Sequence, residues 1–137
     1  WAAPRGEKAA DFEKALSGAG DTAEKLFELA NKPAIRFSVG DGFVKVSQDR
    51  AATEHSGGVV WETAFFLARY LEQHVLPNRV GGDARPKRLR VVELGAGCGL
   101  LGLALARLGC RVLLTEQPAA MDNLRANVAA HLASHSG

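Results

Sequence analysis

This sequence has few residues of the kinds on which disulfide-stapled, membrane-spanning or metal-binding proteins depend. Its 137 residues include two cysteines and one methionine, and 7% of them are aromatic. Cys98 and Cys110 form no CxxC pair, and two cysteines in a chain of this size indicate a reducing compartment, or at least no disulfide framework. The longest apolar stretch runs only from Leu100 to Ala106, whereas a membrane-spanning helix needs about 20 apolar residues. We therefore expect no disulfide framework and no membrane association.

Charge of one sign is also scarce. The 17 lysines and arginines nearly balance the 15 aspartates and glutamates, which leaves a formal net charge of +2. The one basic cluster, between Arg79 and Arg90, contains no aromatic residue, whereas a single-strand nucleic-acid surface combines a dense basic face with stacking rings. The four histidines show no metal-ligand spacing with cysteine or aspartate. We expect no nucleic-acid partner and propose no metal site.

What is present is enough apolar sequence for one folded domain, at 47% hydrophobic and 23% charged residues. The chain begins at Trp1, and residues 1–10 lack the apolar core of a secretory signal. We expect a cytoplasmic protein, with an organelle transit peptide left open because a cleaved peptide leaves no trace.

The amino-terminal part of the chain predicts helices followed by a β-hairpin. Apolar residues recur at helical spacing over 7–17 and 22–31, so residues 1–34 are expected to form a helical extension. Apolar and polar residues then alternate, which predicts a hairpin over 35–48 with an Asp-Gly turn at Asp41-Gly42. After a polar loop, a helix is expected over 60–75, ended by Pro77.

The carboxyl-terminal part predicts a βαβα unit. Its expected elements are a strand at 90–94, a glycine loop at 95–99, a helix at 100–108, a strand at 111–115 and a helix at 118–133. Strands that alternate with helices form parallel sheets, so the fold class is α/β. We expect residues 35–137 to form one domain, or part of one, with a partial parallel sheet.

The glycine loop carries the strongest chemical signal. Val91 to Leu100 reads VVELGAGCGL, in which glycines alternate after a buried strand and before a helix. Such a loop brings backbone amides and a helix amino terminus close to a ligand. A dinucleotide fingerprint, G-x-G-x-x-G, would require glycine where Leu100 stands, which argues against an NAD-dependent dehydrogenase. Glu93, two residues before the first glycine, suits a cationic amino group better than a pyrophosphate, so the loop favours S-adenosylmethionine (SAM).

Two other residues are candidates for the same pocket. Glu116 ends the second strand of the βαβα unit, where a carboxylate can accept hydrogen bonds from ribose hydroxyls. The alternative is a tight turn with a surface glutamate. Trp61 follows Gly57-Gly58 at a helix start and either lines the pocket or packs into the core. Cys98 has no histidine partner in the sequence and is read as a small filler of the loop rather than a nucleophile.

Three segments together resemble a known family. They are GGVVWETA with LARYLE over residues 57–72, VVELGAGCGLLG over residues 91–102, and LLTE with NLRANV over residues 113–128. In this order they resemble the family-16 seven-strand methyltransferases, the methyltransferase-like protein-lysine methyltransferases. The resemblance covers roughly residues 35–131, and the hairpin ahead of Trp61 also fits the family.

The resemblance implies a Rossmann-like class I methyltransferase that uses SAM to methylate a lysine of a protein substrate. By match to the family's motifs, Trp61 would line the cofactor pocket, and the loop residues Gly95, Ala96 and Gly97 would contact the methionine part of SAM. Glu93 would meet the ammonium region. The ribose would be held by Glu116, which stands where the family usually has aspartate. A smaller departure is His131, at a position where the family often has asparagine.

The resemblance also implies that the chain is the amino-terminal half of the domain. The acceptor-side motif of the family, an acidic-x-x-Tyr element, should lie beyond residue 137, so no catalytic residue is nominated. The alternative to an enzyme is a non-catalytic, methyltransferase-like component of a larger protein assembly.

Overall fold

The computed structural model describes residues 31–51, 56–79 and 89–134. The helices expected over 7–17 and 22–31 lie outside these residues, apart from Asn31. The described elements, in chain order, are β1 (Ala34–Val39), β2 (Gly42–Ser47), a 3₁₀ turn (Ser56–Gly58), α1 (Glu62–Tyr70), a π-helical segment (Leu71–Val75), α2 (Leu76–Arg79), β3 (Arg90–Glu93), α3 (Leu100–Arg107), β4 (Arg111–Leu114), a second 3₁₀ turn (Pro118–Ala120) and α4 (Met121–Ala133).

Strands β1 and β2 form the expected antiparallel hairpin. Its turn differs from the expected one, because Val39 pairs with Gly42 and the two loop residues are Gly40 and Asp41. Gly40 has a φ of 56° whereas Asp41 keeps a negative φ, which is the φ pattern of a type II′ turn with glycine first. The expected Asp-Gly turn is therefore wrong: Gly42 opens β2 instead of closing the turn.

The helical segment that begins at α1 passes through Pro77. It starts at Glu62, with Trp61 in an extended conformation as the N-cap residue. The Leu76 N–H donates to the carbonyl of Leu71, five residues back, as in a π-helix. We attribute the continuation to this wider turn, because proline lacks an N–H and its ring crowds the preceding turn of an ordinary α-helix. The expectation that Pro77 ends the helix at residue 75 is wrong, since α2 runs to Arg79.

Strands β3 and β4 pair in parallel, with Arg90 opposite Arg111 and Glu93 opposite Leu114. The pairing continues past both strand ends, because the Thr115 N–H donates to the Glu93 carbonyl at 3.0 Å and the Ala96 N–H to the Thr115 carbonyl at 2.9 Å. With α3 between the strands and α4 after them, the predicted βαβα unit is confirmed. The fold class is α/β with a partial parallel sheet, as the sequence predicts.

The core is built around α3, whose residues Leu100–Leu105 are all buried. This helix packs against α1, against both hairpin strands and against β4. The hairpin contributes its inward side chains, which alternate along each strand with exposed ones: Ile35, Phe37, Val39, Val44 and Val46. The short apolar helix is therefore held between the antiparallel hairpin and the parallel strands.

One face of the parallel strands is exposed within the described residues. Val92 and Leu113 lie opposite each other, and each is 60% exposed, while Leu94 is 80% exposed. These side chains point away from α3, so the described elements cover only one side of the sheet. None of the described helices combines the length and the apolar character needed to cross a membrane.

The buried side chain of Asn127 joins the hairpin to α4. Its Oδ1 accepts the Ser47 N–H at 2.8 Å, and its Nδ2 donates to the Ser47 carbonyl at 3.0 Å. The same Nδ2 donates to the Cys98 carbonyl in the glycine loop at 3.0 Å. One carboxamide thus satisfies backbone groups of β2 and of the loop together.

We expect Asn127→Ala to lower the free energy of unfolding by about 1–3 kcal/mol, because it leaves partly buried backbone groups without partners. The matched control is Asn123→Ala, one turn earlier on α4, whose Nδ2 reaches the Ser47 carbonyl only at 3.4 Å. That change should cost less than about 0.5 kcal/mol. Urea denaturation of both variants measures the difference, and equal losses would contradict the role given to Asn127.

Candidate functional site

The glycine loop turns on left-handed backbone. Gly95, Gly97 and Gly99 have φ values of 67°, 54° and 85°, while Ala96 and Cys98 between them are buried. Residues with a Cβ disfavour positive φ. The alternation therefore places glycine at each left-handed position, and a residue with a small, buried side chain between each pair of glycines. At Gly95 the space that a Cβ would enter is open, with no atom within 4 Å. The backbone there borders a cavity rather than the core.

Glu116 holds this loop in place. Its Oε2 accepts the Gly97 N–H at 2.6 Å, and its Oε1 accepts the Gln117 N–H at 2.7 Å. A carboxylate has about four acceptor positions, so two remain for other donors. This side chain closes the loop against the end of β4, which fits the alternative of a tight turn, and its contact with a ribose stays a prediction.

Glu93 points toward the first turn of α3. Its Oε2 is buried and has no hydrogen-bond partner among the described residues. A Cβ on Gly102 would lie 2.6 Å from this oxygen and would clash with Leu114, so the carboxylate depends on glycine at that position. Burial raises the pKa of Glu93 to about 7, the backbone amide of Gly102 acts in the opposite direction, and the negative charge of Glu116 raises the pKa further.

Trp61 lies on the opposite wall of the cavity. Its side chain is 56% exposed, which excludes the alternative of a core tryptophan. The indole Nε1 donates to the Ser56 carbonyl at 3.0 Å, which fixes the ring at the start of α1. Gln48 supports the same segment, because its Oε1 accepts the Val60 N–H at 2.7 Å.

These elements enclose a cavity of about 590 Å³ between α1 and the glycine loop. Of the six residues proposed from the sequence, five line it: Trp61, Glu93, Gly95, Ala96 and Gly97. Glu116 is not among the lining residues, but its carboxylate bonds to the amide of Gly97, which is. Apolar side chains of α1 complete the wall, among them Ala64, Leu67 and Leu71.

Cys98 connects the two walls from within. Its Sγ lies 3.5 Å from the Gly57 carbonyl and 3.5 Å from Asn123 Nδ2. Burial raises the pKa of this thiol to about 11, opposed by the Asn123 hydrogen bond and raised further by the charge of Asp49. A neutral, buried thiol agrees with the filler interpretation and disfavours nucleophilic chemistry.

Two polar residues that support the site were assigned no role from the sequence. Gln48 and Asn127 are both buried, and each uses its carboxamide to satisfy backbone groups of other segments. For Asn127, the available signal was a polar residue at a helix position that faces inward. For Gln48, it was a polar residue directly after a strand. Among the residues that the structure describes, no group of three or more His, Cys, Asp or Glu side chains could hold a metal ion.

A parallel βαβ unit, a left-handed glycine loop at a helix start and an acidic residue after the second strand are the features of a Rossmann-like α/β fold. A family model described as "Lysine methyltransferase" matches residues 42–136, which is more than half of the chain. The chain belongs to this family, which confirms the resemblance found in the sequence.

Similar proteins carry related names. The chain is 34% identical over 105 residues to mouse "Protein N-lysine methyltransferase METTL21A", an alignment that covers 77% of this chain and 44% of that protein. It is 33% identical over 93 residues to "EEF1A lysine methyltransferase 3" of Xenopus tropicalis, covering 68% of this chain and 38% of that protein. Mouse "Protein-lysine methyltransferase METTL21E" is 36% identical over 73 residues, covering 53% of this chain and 27% of that protein. The chain therefore spans less than half the length of these curated relatives.

Because the pKa of Glu93 is raised from 4.5 to about 7, its burial should make stability depend on pH. The folded state binds the proton more tightly than the unfolded state, so the contribution of Glu93 is most favourable below about pH 4.5 and is lost as pH rises toward 7. We expect Glu93→Gln to be more stable than the unmodified protein at pH 8, by about 1–3 kcal/mol after allowance for solvent screening.

Urea denaturation from pH 4 to pH 8 measures this prediction. The difference between Glu93→Gln and the unmodified protein should shrink as pH falls from about 7 to about 4.5 and should level off below that. Glu62→Gln, an exposed change in the first turn of α1, should show no such trend. A stability difference that stays constant with pH would contradict the raised pKa of Glu93.

Proposed function

We propose that the protein binds SAM in the cavity between α1 and the glycine loop and belongs to an enzyme that methylates a lysine side chain of a protein substrate. The observation that carries the proposal is the charge of the cavity wall. Among the described residues that line it, the one ionisable carboxylate is Glu93, and no lysine, arginine or histidine is present. This wall suits a ligand with cationic groups and no phosphate.

The chain's own residues fit the parts of such a ligand. Gly95 offers open space beside its backbone, so the loop can approach the methionine portion without a Cβ in the way, together with Ala96 and Gly97. Glu93, whose Oε2 has no described hydrogen-bond partner, would meet the ammonium group. Burial of an acceptor without a donor is costly, and a cationic donor in the cavity would relieve that cost.

The remaining two residues would hold the nucleoside portion. Glu116 keeps free acceptor positions on both oxygens while it bonds to Gly97 and Gln117, so it would receive the ribose hydroxyls. Trp61, fixed by its bond to Ser56, would form the opposite side of the pocket with an aromatic surface.

When bound, SAM would supply a methyl carbon activated by its sulfonium sulfur. A neutral lysine amine would form a bond to that carbon as the carbon–sulfur bond breaks, with the neutral thioether as leaving group and loss of one amine proton to solvent. The protein's part in such a reaction is to hold donor and acceptor in line, and orientation of this kind supplies much of the acceleration. The residues described here contribute the donor side. We assign no catalytic base among them, and the names of the similar proteins support a protein lysine as the acceptor.

Calorimetric titration with SAM tests the cofactor proposal. Glu116→Ala should weaken binding about 10- to 100-fold, because it removes charge-assisted hydrogen bonds. Trp61→Ala should also weaken SAM binding. Because this residue lies on the wall opposite the glycine loop, the variant tests the cavity without altering the loop. The matched control is Glu62→Ala, next to Trp61 and exposed, which should leave the affinity unchanged.

Absence of heat at millimolar SAM would overturn the proposal, and tighter binding of NAD than of SAM would favour a dehydrogenase. The acceptor is tested separately, by mass spectrometric detection of methyl-lysine on proteins of an extract incubated with the chain and labelled SAM. The same assay on the full-length gene product separates the two hypotheses, because binding of SAM without transfer by that protein would favour the non-catalytic alternative.

A further inference from the structure

A second cavity, of about 660 Å³, lies between strand β2 and helix α4, and its lining includes none of the residues of the proposed SAM pocket. Its size is in the range of ligand-binding clefts, about 300–1,000 Å³. Strand β2 contributes Phe43 and Lys45 to its wall, and α4 contributes Ala130 and His131. We call this cavity the β2 groove.

The hairpin register shows which backbone groups face the β2 groove. The Gln48 N–H donates to the Pro33 carbonyl at 2.8 Å, so this pair is hydrogen-bonded across the hairpin. Hydrogen-bonded and non-hydrogen-bonded pairs alternate in an antiparallel ladder. Ser47, Lys45 and Phe43 therefore direct their N–H and C=O groups outward, along the edge of β2 that does not face β1.

At Ser47 this edge is already paired, in the manner of an added strand. Asn127 accepts the Ser47 N–H and donates to the Ser47 carbonyl, as the backbone of a neighbouring strand would do. For the outward N–H and C=O groups of Lys45 and Phe43, no partner occurs within residues 31–51, 56–79 and 89–134. The edge continues into the β2 groove with two donors and two acceptors.

The β2 groove is positively charged. Arg36 and Lys45 lie directly opposite each other on the exposed face of the hairpin, and a like-charged cross-strand pair is unfavourable without a ligand. Arg107 also lines the groove and contacts Asp41 at 3.1 Å. Among the described residues that line the groove, three have basic side chains, Arg36, Lys45 and Arg107, and one, Asp41, has a carboxylate. The Arg36 guanidinium carbon lies 3.6 Å from the centroid of the Phe43 ring, so this part of the groove surface is both aromatic and cationic.

We propose that the β2 groove binds an extended, acidic peptide segment of a partner protein, which adds a strand to the free edge of β2. Backbone hydrogen bonds to Phe43 and Lys45 would supply the pairing, as in other cases of strand addition. Acidic side chains of the segment would meet Arg36 and Lys45 and so remove the unfavourable like-charged pair. This proposal concerns a docking surface and does not rest on methyl transfer.

The simpler interpretation is that Lys45 is a charged residue that protects an open strand edge against aggregation. It explains the charge on β2 but not the cavity beside the edge or the second charge on Arg36, which lies on the other strand. The two interpretations differ in outcome, because a protective edge binds no peptide.

The test uses a short acetylated and amidated peptide in which glutamate alternates with threonine, titrated into the full chain by fluorescence anisotropy. We expect binding that weakens at high salt and that is lost when glutamine replaces each glutamate. Methylation of alternate backbone nitrogens, on the edge that would face β2, should also abolish binding. Lys45→Glu should weaken binding about tenfold.

The matched control is Arg125→Glu, an equal charge reversal on α4 outside the groove, where Arg125 is 73% exposed and 3.7 Å from Asp122. It should change the affinity less than about twofold, since an exposed pair contributes little. Both variants alter exposed side chains, so neither is expected to unfold the protein, which circular dichroism can verify.

Amide hydrogen exchange locates the peptide. The Phe43 and Lys45 amides should exchange at least about tenfold more slowly with the peptide bound, whereas the Val44 amide, which faces β1, should be protected in both states. No binding at millimolar peptide, or binding that is insensitive to backbone methylation, would overturn the proposal. Protection of Phe43 and Lys45 before the peptide is added would also overturn it, because the edge would then be covered by the chain itself or by a second copy.

Discussion

The arrangement of the described domain depends on the left-handed backbone between β3 and α3. Only with positive φ at Gly95, Gly97 and Gly99 can the chain reverse from the strand into a helix that packs on the same strand. The reversal brings the amide of Gly97 to the carboxylate of Glu116 at 2.6 Å. It also places the first turn of α3 against Glu93, where the absence of a Cβ on Gly102 leaves room for the carboxylate. Both acidic residues of the site therefore take their positions from one turn.

The opposite wall of the cavity comes from the segment around Trp61, which lies far from the glycine loop in the sequence. It is held by polar groups that bond to backbone: Gln48 to Val60, and Trp61 to Ser56. Cys98 contributes a packing contact with Gly57. The hairpin thus serves the site indirectly, since β2 ends at the residue before Gln48 and carries it to the start of α1. An apolar helix, a glycine loop and two carboxamides together produce a cavity whose described lining contains a single carboxylate, that of Glu93.

The sequence pattern predicted most helices and strands, because each has a regular spacing of apolar residues or a backbone conformation that requires glycine. The alternation in the hairpin, the apolar run of α3 and the spaced glycines are signals of this kind. The turn at Gly40-Asp41 and the passage of α2 through Pro77 could not be read in this way. In the first, a glycine on each side of Asp41 allowed two different turns. In the second, the π-helical segment over Leu71–Val75 removed the conflict that proline usually creates.

The site was predictable in its residue types and less so in its contacts. Glu93 and Glu116 were identified from their places after strands, yet the pattern does not show that Glu116 bonds to Gly97 or that Glu93 is buried against α3. These partners depend on how closely a helix approaches a sheet, which is a tertiary property. Asn127 was visible as part of a motif, but its two-sided bond to Ser47 requires knowledge of which strand edge lies beside α4.

The Ser47–Asn127 pair joins positions 80 residues apart in the chain. Contacts of this separation form late in folding, because the intervening chain must first be confined. Synthesis proceeds from the amino terminus, so the hairpin leaves the ribosome well before α4 exists. Throughout that interval the edge of β2 lacks the side chain that closes it at Ser47. Asn127, which stabilises the folded chain, therefore also sets how long the backbone of β2 at Ser47 stays open to pairing with strands of other proteins during synthesis.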